Sequence, residues 1–136
     1  MLNIASINSK ELSQLLETNQ VILVDVREPE EHQRSSIKGA RNIPLSVIGV
    51  EHITGEEAVN KKIVLHCQLG KRSMAACQKL IASNYPDELF NLEGGISAWT
   101  QAGLPVNASK CAITSQVLGA LGVLAFLGAA LTYLGK

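Results

Sequence analysis

The 136-residue sequence has no acidic residue after Glu93, no dense basic cluster, no C-x-x-C pair and no internal repeat. Each absence removes a class of protein. Lys61 with Lys62 and Lys71 with Arg72 are the only adjacent cations, too few to neutralise a run of phosphates, so nucleic acid is not an expected partner. Three cysteines, at 67, 77 and 111, are odd in number, which argues against a disulfide framework and against a zinc site; no metal is expected. The opening residues MLNIASINSKEL lack a positive end followed by an apolar stretch, so no secretory signal is expected and the first domain should stay in the cytoplasm.

What is present divides the chain in two. All twelve acidic residues lie at or before Glu93, and beyond Gly94 only Lys110 and Lys136 are charged. The stretch AITSQVLGALGVLAFLGAALTYL, residues 112–134, has no charge over 23 residues. As a helix it would span about 34 Å, against a hydrocarbon core of roughly 30 Å. A buried core helix usually keeps a polar stripe, whereas here Thr114, Ser115 and Gln116 sit together at one end, so a single transmembrane helix is expected. Lys110, Tyr133 and Lys136 fall where interfacial anchors belong. Gly119, Gly122, Ala125, Gly128 and Ala129 would let a second helix approach closely, which suits a homodimer formed through this segment. The missing signal then places the chain as single-pass in the inner (cytoplasmic) membrane, with residues 1–106 on the cytoplasmic side, 107–111 as linker and 112–134 as the span.

Within residues 1–106, strand signals alternate with helix signals. VILVDV (21–26), KIVLHC (62–67) and LFNL (89–92) are apolar runs of the kind found in sheets covered on both faces. Ser9 is placed to cap a helix carrying Leu12, Leu15 and Leu16, and Ser73 to cap one whose stripe is Met74, Cys77, Leu80 and Ile81. GGISAWTQAG (94–103) reads as a last short helix stopped by Gly103. Interleaved elements of this kind predict an α/β layer fold with a mostly parallel sheet flanked by helices.

In that fold HCQLGKRS (66–73) lies at the carboxyl end of a buried strand and at the start of a helix, where ligands bind in open parallel sheets. A helix N-terminus offers unpaired N–H groups and a partial positive charge, and Lys71 and Arg72 add two cations. Together they should lower the Cys67 thiol below its free value of about 8.5. Gly70 supplies the positive φ that a loop with inward N–H groups commonly needs. A cysteine ending an apolar strand is in most proteins a small hydrophobe; the strand, glycine loop, paired cations and helix start favour a nucleophile here. Cys77 falls in a helix stripe and reads as core. His66 precedes Cys67 on the strand, so its side chain points to the other face and is expected to be structural.

Three separated stretches, DVREPEEH…IKGARNIPLS, HCQLGKRS and NLEGGISAWTQAGLPV, together resemble the rhodanese domain over nearly all of residues 4–106. Combined with the apolar tail, they are most similar to the bacterial membrane-anchored single-domain rhodaneses, in which two transmembrane helices commonly follow. This sequence carries one such segment. The resemblance implies sulfur transfer without a cofactor, with Cys67 as the catalytic residue and Gln68, Leu69, Gly70, Lys71, Arg72 and Ser73 as the loop that binds substrate. A small anionic donor such as thiosulfate would pass sulfane sulfur through a Cys67 persulfide to cyanide or a thiol. Lys71 and Arg72 would attract the donor. Asp25 and Arg27 match the family's D-x-R, the aspartate bracing loops and the arginine touching substrate. SSIKGA (35–40) departs from the family's G-H-I-P-G-A, and Trp99 is read as core.

Two rivals share these features. Dual-specificity phosphatases and arsenate reductases of related fold have loops of the type H-C-x5-R, whereas four residues separate Cys67 from Arg72, which suits one sulfur better than a tetrahedral oxyanion. A membrane-tethered regulatory or redox-sensing module with little turnover would also keep a low-pKa thiolate.

Overall fold

The computed structural model describes residues 3–108. The apolar stretch 112–134, Cys111 and most of the linker lie outside the described residues, and with them the expected membrane span and helix pairing. Among the described residues no helix is long and apolar enough to cross a membrane.

The elements are β1 (Ile4–Ile7), α1 (Ser9–Glu17), β2 (Val21–Asp25), α2 (Pro29–Arg34), β3 (Ser35–Ser36), β4 (Arg41–Asn42), β5 (Lys62–His66), α3 (Lys71–Ala82), β6 (Leu89–Leu92), α4 (Gly95–Gln101) and β7 (Asn107–Ala108). Five strands form a parallel sheet in the order β1-β6-β5-β2-β4, while β3 and β7 pair antiparallel. The expected α/β architecture with a mostly parallel sheet is the one observed.

Period-two alternation along the strands splits the core in two. Ile22 and Val24 of β2, with Ile63 and Leu65 of β5, face Ala76, Cys77 and Leu80 of α3. Val21, Leu23 and Val64 face the other way, against Leu12 of α1 and Ile96 and Trp99 of α4. All five β2 residues are buried, the first four as an apolar run and the fifth as the carboxylate of Asp25. Cys77 is fully buried and Trp99 is 3% exposed, its indole N–H donating to the Pro105 carbonyl at 2.9 Å, so both pack as expected.

Two helix starts differ from the sequence reading. The cap of α1 is Asn8, one residue earlier than Ser9: Asn8 Oδ1 accepts from Glu11 N–H and the Glu11 carboxylate accepts from Asn8 N–H, a reciprocal capping box. Helix α3 begins at Lys71 behind Gly70, two residues before Ser73. Ser73 therefore stands inside the first turn, and its hydroxyl turns inward instead of capping. Sequence propensity marks both serines as caps because hydroxyls suit that position, but burial of their side chains decides otherwise.

Candidate active site

The central strands β2 and β5 end together, with Asp25 in register with His66. Residues 25–31 and 67–73 consequently leave the same edge of the sheet as neighbours. The second of these segments is held by its own Gly70 and Ser73 and by two other elements, β6 and α4. Gly70, at φ +112°, reverses the chain so that its N–H donates to Cys67 Sγ at 3.0 Å. The Ser73 hydroxyl lies 3.4 Å from the same sulfur and also contacts Asn91 Oδ1 on β6. Asn91 Nδ2 donates to the Gly70 carbonyl at 3.3 Å. From the other side, the N–H groups of Ile96 and Ser97 in the first turn of α4 donate to the carbonyls of Cys67 (3.0 Å) and Gln68 (3.1 Å).

Cys67 lines a cavity of about 260 Å³ together with Gln68, Leu69, Lys71 and Arg72. Cys67 is 1% exposed, so almost none of its surface meets solvent. Burial raises the thiol pKa, but the Ser73 hydroxyl and the N–H groups of Ser73, Gly70 and Leu69 outweigh it and bring Cys67 below its ordinary range. The direction is the expected one, and of the two expected causes the oriented donors of the loop and helix start, more than the two cations, favour the thiolate. Cys77, with burial and no donors to oppose it, is pushed up to about 12.

Ser73 has one hydroxyl hydrogen for the Cys67 sulfur and Asn91 Oδ1, so ionisation of the thiol draws it toward the sulfur. Replacing Ser73 by alanine is expected to move the acid limb of Cys67 alkylation by iodoacetamide to higher pH. Below the plateau the rate should fall on the order of tenfold, the worth of a charge-assisted hydrogen bond. Above it the more basic thiolate should react faster. Mass mapping of the Cys67 peptide over a pH series measures both limbs.

Asp25 is the hub behind the loop. Its carboxylate, fully buried, accepts from Arg27 Nη2 (2.8 Å), Arg27 Nε (3.0 Å), the Arg27 N–H (3.0 Å) and His32 Nδ1 (2.9 Å). Burial raises its pKa, and Arg27, His66 and His32 more than offset this, holding the carboxyl below the usual range. Arg27 is 3% exposed; its remaining donors reach the Ser35 carbonyl (2.6 Å) and Gln68 Oε1 (3.2 Å). Where the resemblance implied contact with substrate, the guanidinium is enclosed and holds the loop through Gln68. Gln68 passes the support on, its Nε2 donating to Ser97 Oγ at 2.9 Å.

His66 is fully buried on the side away from Cys67 Sγ, and its Nδ1 donates to the Cys67 carbonyl at 3.1 Å. Burial lowers its pKa and leaves it neutral, a structural group as expected. Lys71 is exposed at the rim. Arg72 is not the open cation the sequence reading supposes: Nη1 and Nη2 bind the two oxygens of Glu31 at 2.8 and 2.9 Å. Glu31 and Asn91 were not singled out in the sequence. Asn91 carried a signal, a polar residue inside the apolar strand LFNL, which must find hydrogen bonds when buried. Glu31 sits among other acidic residues on a short helix and carried none.

Residues 8–102 match the Rhodanese-like domain family. The chain belongs to the rhodanese family. A sulfurtransferase of Allochromatium vinosum is similar at 37% identity over 105 residues, covering 76% of this chain and 95% of that one. An uncharacterised protein of Synechocystis sp. is 41% identical over 105 residues, and this chain spans 57% of its length. Among solved structures, a rhodanese-related protein from Thermoplasma volcanium superposes with a TM-score of 0.62 at 32% identity, covering 77% of this chain and 99% of that one. The rhodanese fold thus accounts for the parallel sheet, with Cys67 to Gly70 as the loop at its carboxyl edge and Lys71 to Ser73 as the first turn of α3.

Proposed function

We propose that the protein is a sulfurtransferase that carries sulfane sulfur on Cys67, taking it from thiosulfate or a persulfide and giving it to cyanide or a thiol. One observation carries this reading. The Cys67 sulfur meets converging N–H and hydroxyl donors, and the residue lines a cavity of about 260 Å³.

The thiolate attacks the donor's outer sulfur, forming a new S–S bond while the donor's own bond breaks. The electron pair leaves on sulfite or on a thiolate, and the new persulfide remains on Cys67. Donors aimed at the resting thiolate are then in place for the negative outer sulfur, so the loop stabilises both charged states without rearrangement. An acceptor nucleophile attacks that sulfur and returns the Cys67 thiolate. Gln68, Leu69, Gly70, Lys71, Arg72 and Ser73 form the cradle, and Asp25 with Arg27 braces it.

A second part of the reading is a membrane anchor at 112–134, supported by the uncharged length of that stretch. Sulfur delivery would then occur at a membrane surface, and retention in the membrane fraction after a carbonate wash is the expected result.

Incubation of the purified chain with thiosulfate or with cysteine persulfide should add one sulfur atom, seen by intact mass, and Cys67→Ser should remove the gain. Turnover of p-nitrophenyl phosphate without sulfur on Cys67 would transfer the site to the phosphatase reading.

A further inference from the structure

The cations around Cys67 are largely neutralised by carboxylates of one short segment. Arg27 is enclosed by Asp25, and Arg72 is held by both oxygens of Glu31. Glu31 is itself fixed, because Oε2 also accepts the N–H of Glu28 at 3.0 Å at the start of α2. Its partners, Arg72 foremost, hold its pKa near 2, so the pair stays charged at every pH where a thiolate exists. Among the described residues, Lys71 is then the cation of the cavity wall without a carboxylate within 4.0 Å. Leu69, 66% exposed, adds an apolar rim. Lys71, Arg72 and Glu31 together leave one net positive charge at the entrance.

Resting on the sulfur-transfer reading, we infer that Glu31 is a specificity-determining residue, which masks Arg72 and tunes the site for small organic persulfides over the thiosulfate dianion. Thiosulfate carries two negative charges within one small group, both of which must approach the entrance with the transferred sulfur. An organic persulfide, R–S–SH, brings at most one charge to that end, and its carbon chain can lie on Leu69. Chemically the two donors are used alike. The Cys67 thiolate bonds to the outer sulfur, and the donor S–S bond breaks with its electron pair leaving on RS⁻ or on sulfite. With the persulfide donor, the proton of the transferred S–H passes to RS⁻ to give RSH. The difference lies in the field through which the donor arrives.

Glu31→Gln keeps the shape and an acceptor oxygen while removing the charge, and so unmasks Arg72. The rate of sulfur loading on Cys67, followed by rapid quench and intact mass, is compared for thiosulfate and cysteine persulfide. In Glu31→Gln the thiosulfate rate should rise on the order of tenfold, and the gain should shrink with added salt. The persulfide rate should change less than about twofold. Adding Arg72→Gln to Glu31→Gln should cancel the thiosulfate gain, which ties it to the unmasked guanidinium. An unchanged or slower thiosulfate rate in Glu31→Gln, or a gain that survives loss of Arg72, overturns the masking role while leaving sulfur transfer standing. Failure of either donor to load the unsubstituted protein overturns sulfur transfer itself, and the selectivity with it.

Discussion

Asp25→Ala is expected to destabilise the fold by about 3–5 kcal/mol, the loss that follows when one partner of a buried ion pair is removed. The cause is Arg27, 3% exposed, which would remain charged without the carboxylate that accepts from its Nε and Nη2. Urea denaturation should show the midpoint falling with little change in slope. If the missing charge is the reason, Asp25→Ala combined with Arg27→Met should be more stable than Asp25→Ala alone. Acid should act on the unsubstituted protein in the same direction. Since the folded pKa of Asp25 lies below its unfolded value of about 3.9, its contribution is complete above that value and is lost as pH falls toward the folded pKa. Asp25→Ala should therefore lose less stability than the parent below pH of about 4. Cys67 loading should also slow, because Arg27 holds Gln68 at 3.2 Å and Gln68 in turn holds Ser97.

The second large effect is expected at Gly95. This residue has φ +59°, and a Cβ there would lie 2.5 Å from the carbonyl oxygens of both Cys67 and Gln68. Those atoms are backbone and accept the N–H groups of Ile96 and Ser97, so they cannot yield without breaking the junction between α4 and the loop. Gly95→Ala should cost about 2–4 kcal/mol from the left-handed conformation, overpacking and weakened hydrogen bonds together. The effect on sulfur loading should be larger, on the order of a hundredfold, since shifting Cys67 by about 1 Å removes it from its donors. Gly103→Ala is the control. Gly103 also has a positive φ, +80°, but an added Cβ meets nothing within 4 Å. It should lose about 1 kcal/mol from backbone conformation and keep its loading rate. Equal rate losses in the two variants would show that α4 does not position the loop.

The sheet and the cysteine were legible because both are written in contiguous residues. β2 and β5 are apolar runs, and Cys67, Gly70 and the start of α3 lie within five positions of one another. The partners of those residues come from afar and were not legible. Glu31 lies 41 positions from Arg72, Asn91 lies 18 from Ser73, and Arg27 lies 41 from Gln68. An adjacent pair such as Lys71 and Arg72 shows its charge in sequence but not its neutralisation, which depends on where α2 packs. The same holds for Arg27, whose D-x-R match implies contact with substrate but does not show the carboxylate and carbonyl that enclose it. Helix caps were misplaced by one residue at α1 and three at α3 because a capping serine and a buried serine look alike until tertiary contacts choose between them.

Strand order also fixes when the chemistry can exist. β1 has β6 as its neighbour in the sheet, with Ile4 opposite Leu89, so the edge closes only after most of the domain has been made. Asn91 and Gly95, which press the cysteine loop into shape, arrive later still. Pairings so distant along the chain form slowly. During synthesis, then, the contacts that brace the Cys67 loop from β6 and α4 are acquired last, when the carboxyl part of the domain docks. A chain stopped before β6 would contain every residue of HCQLGKRS and lack the Asn91 and α4 contacts that hold it.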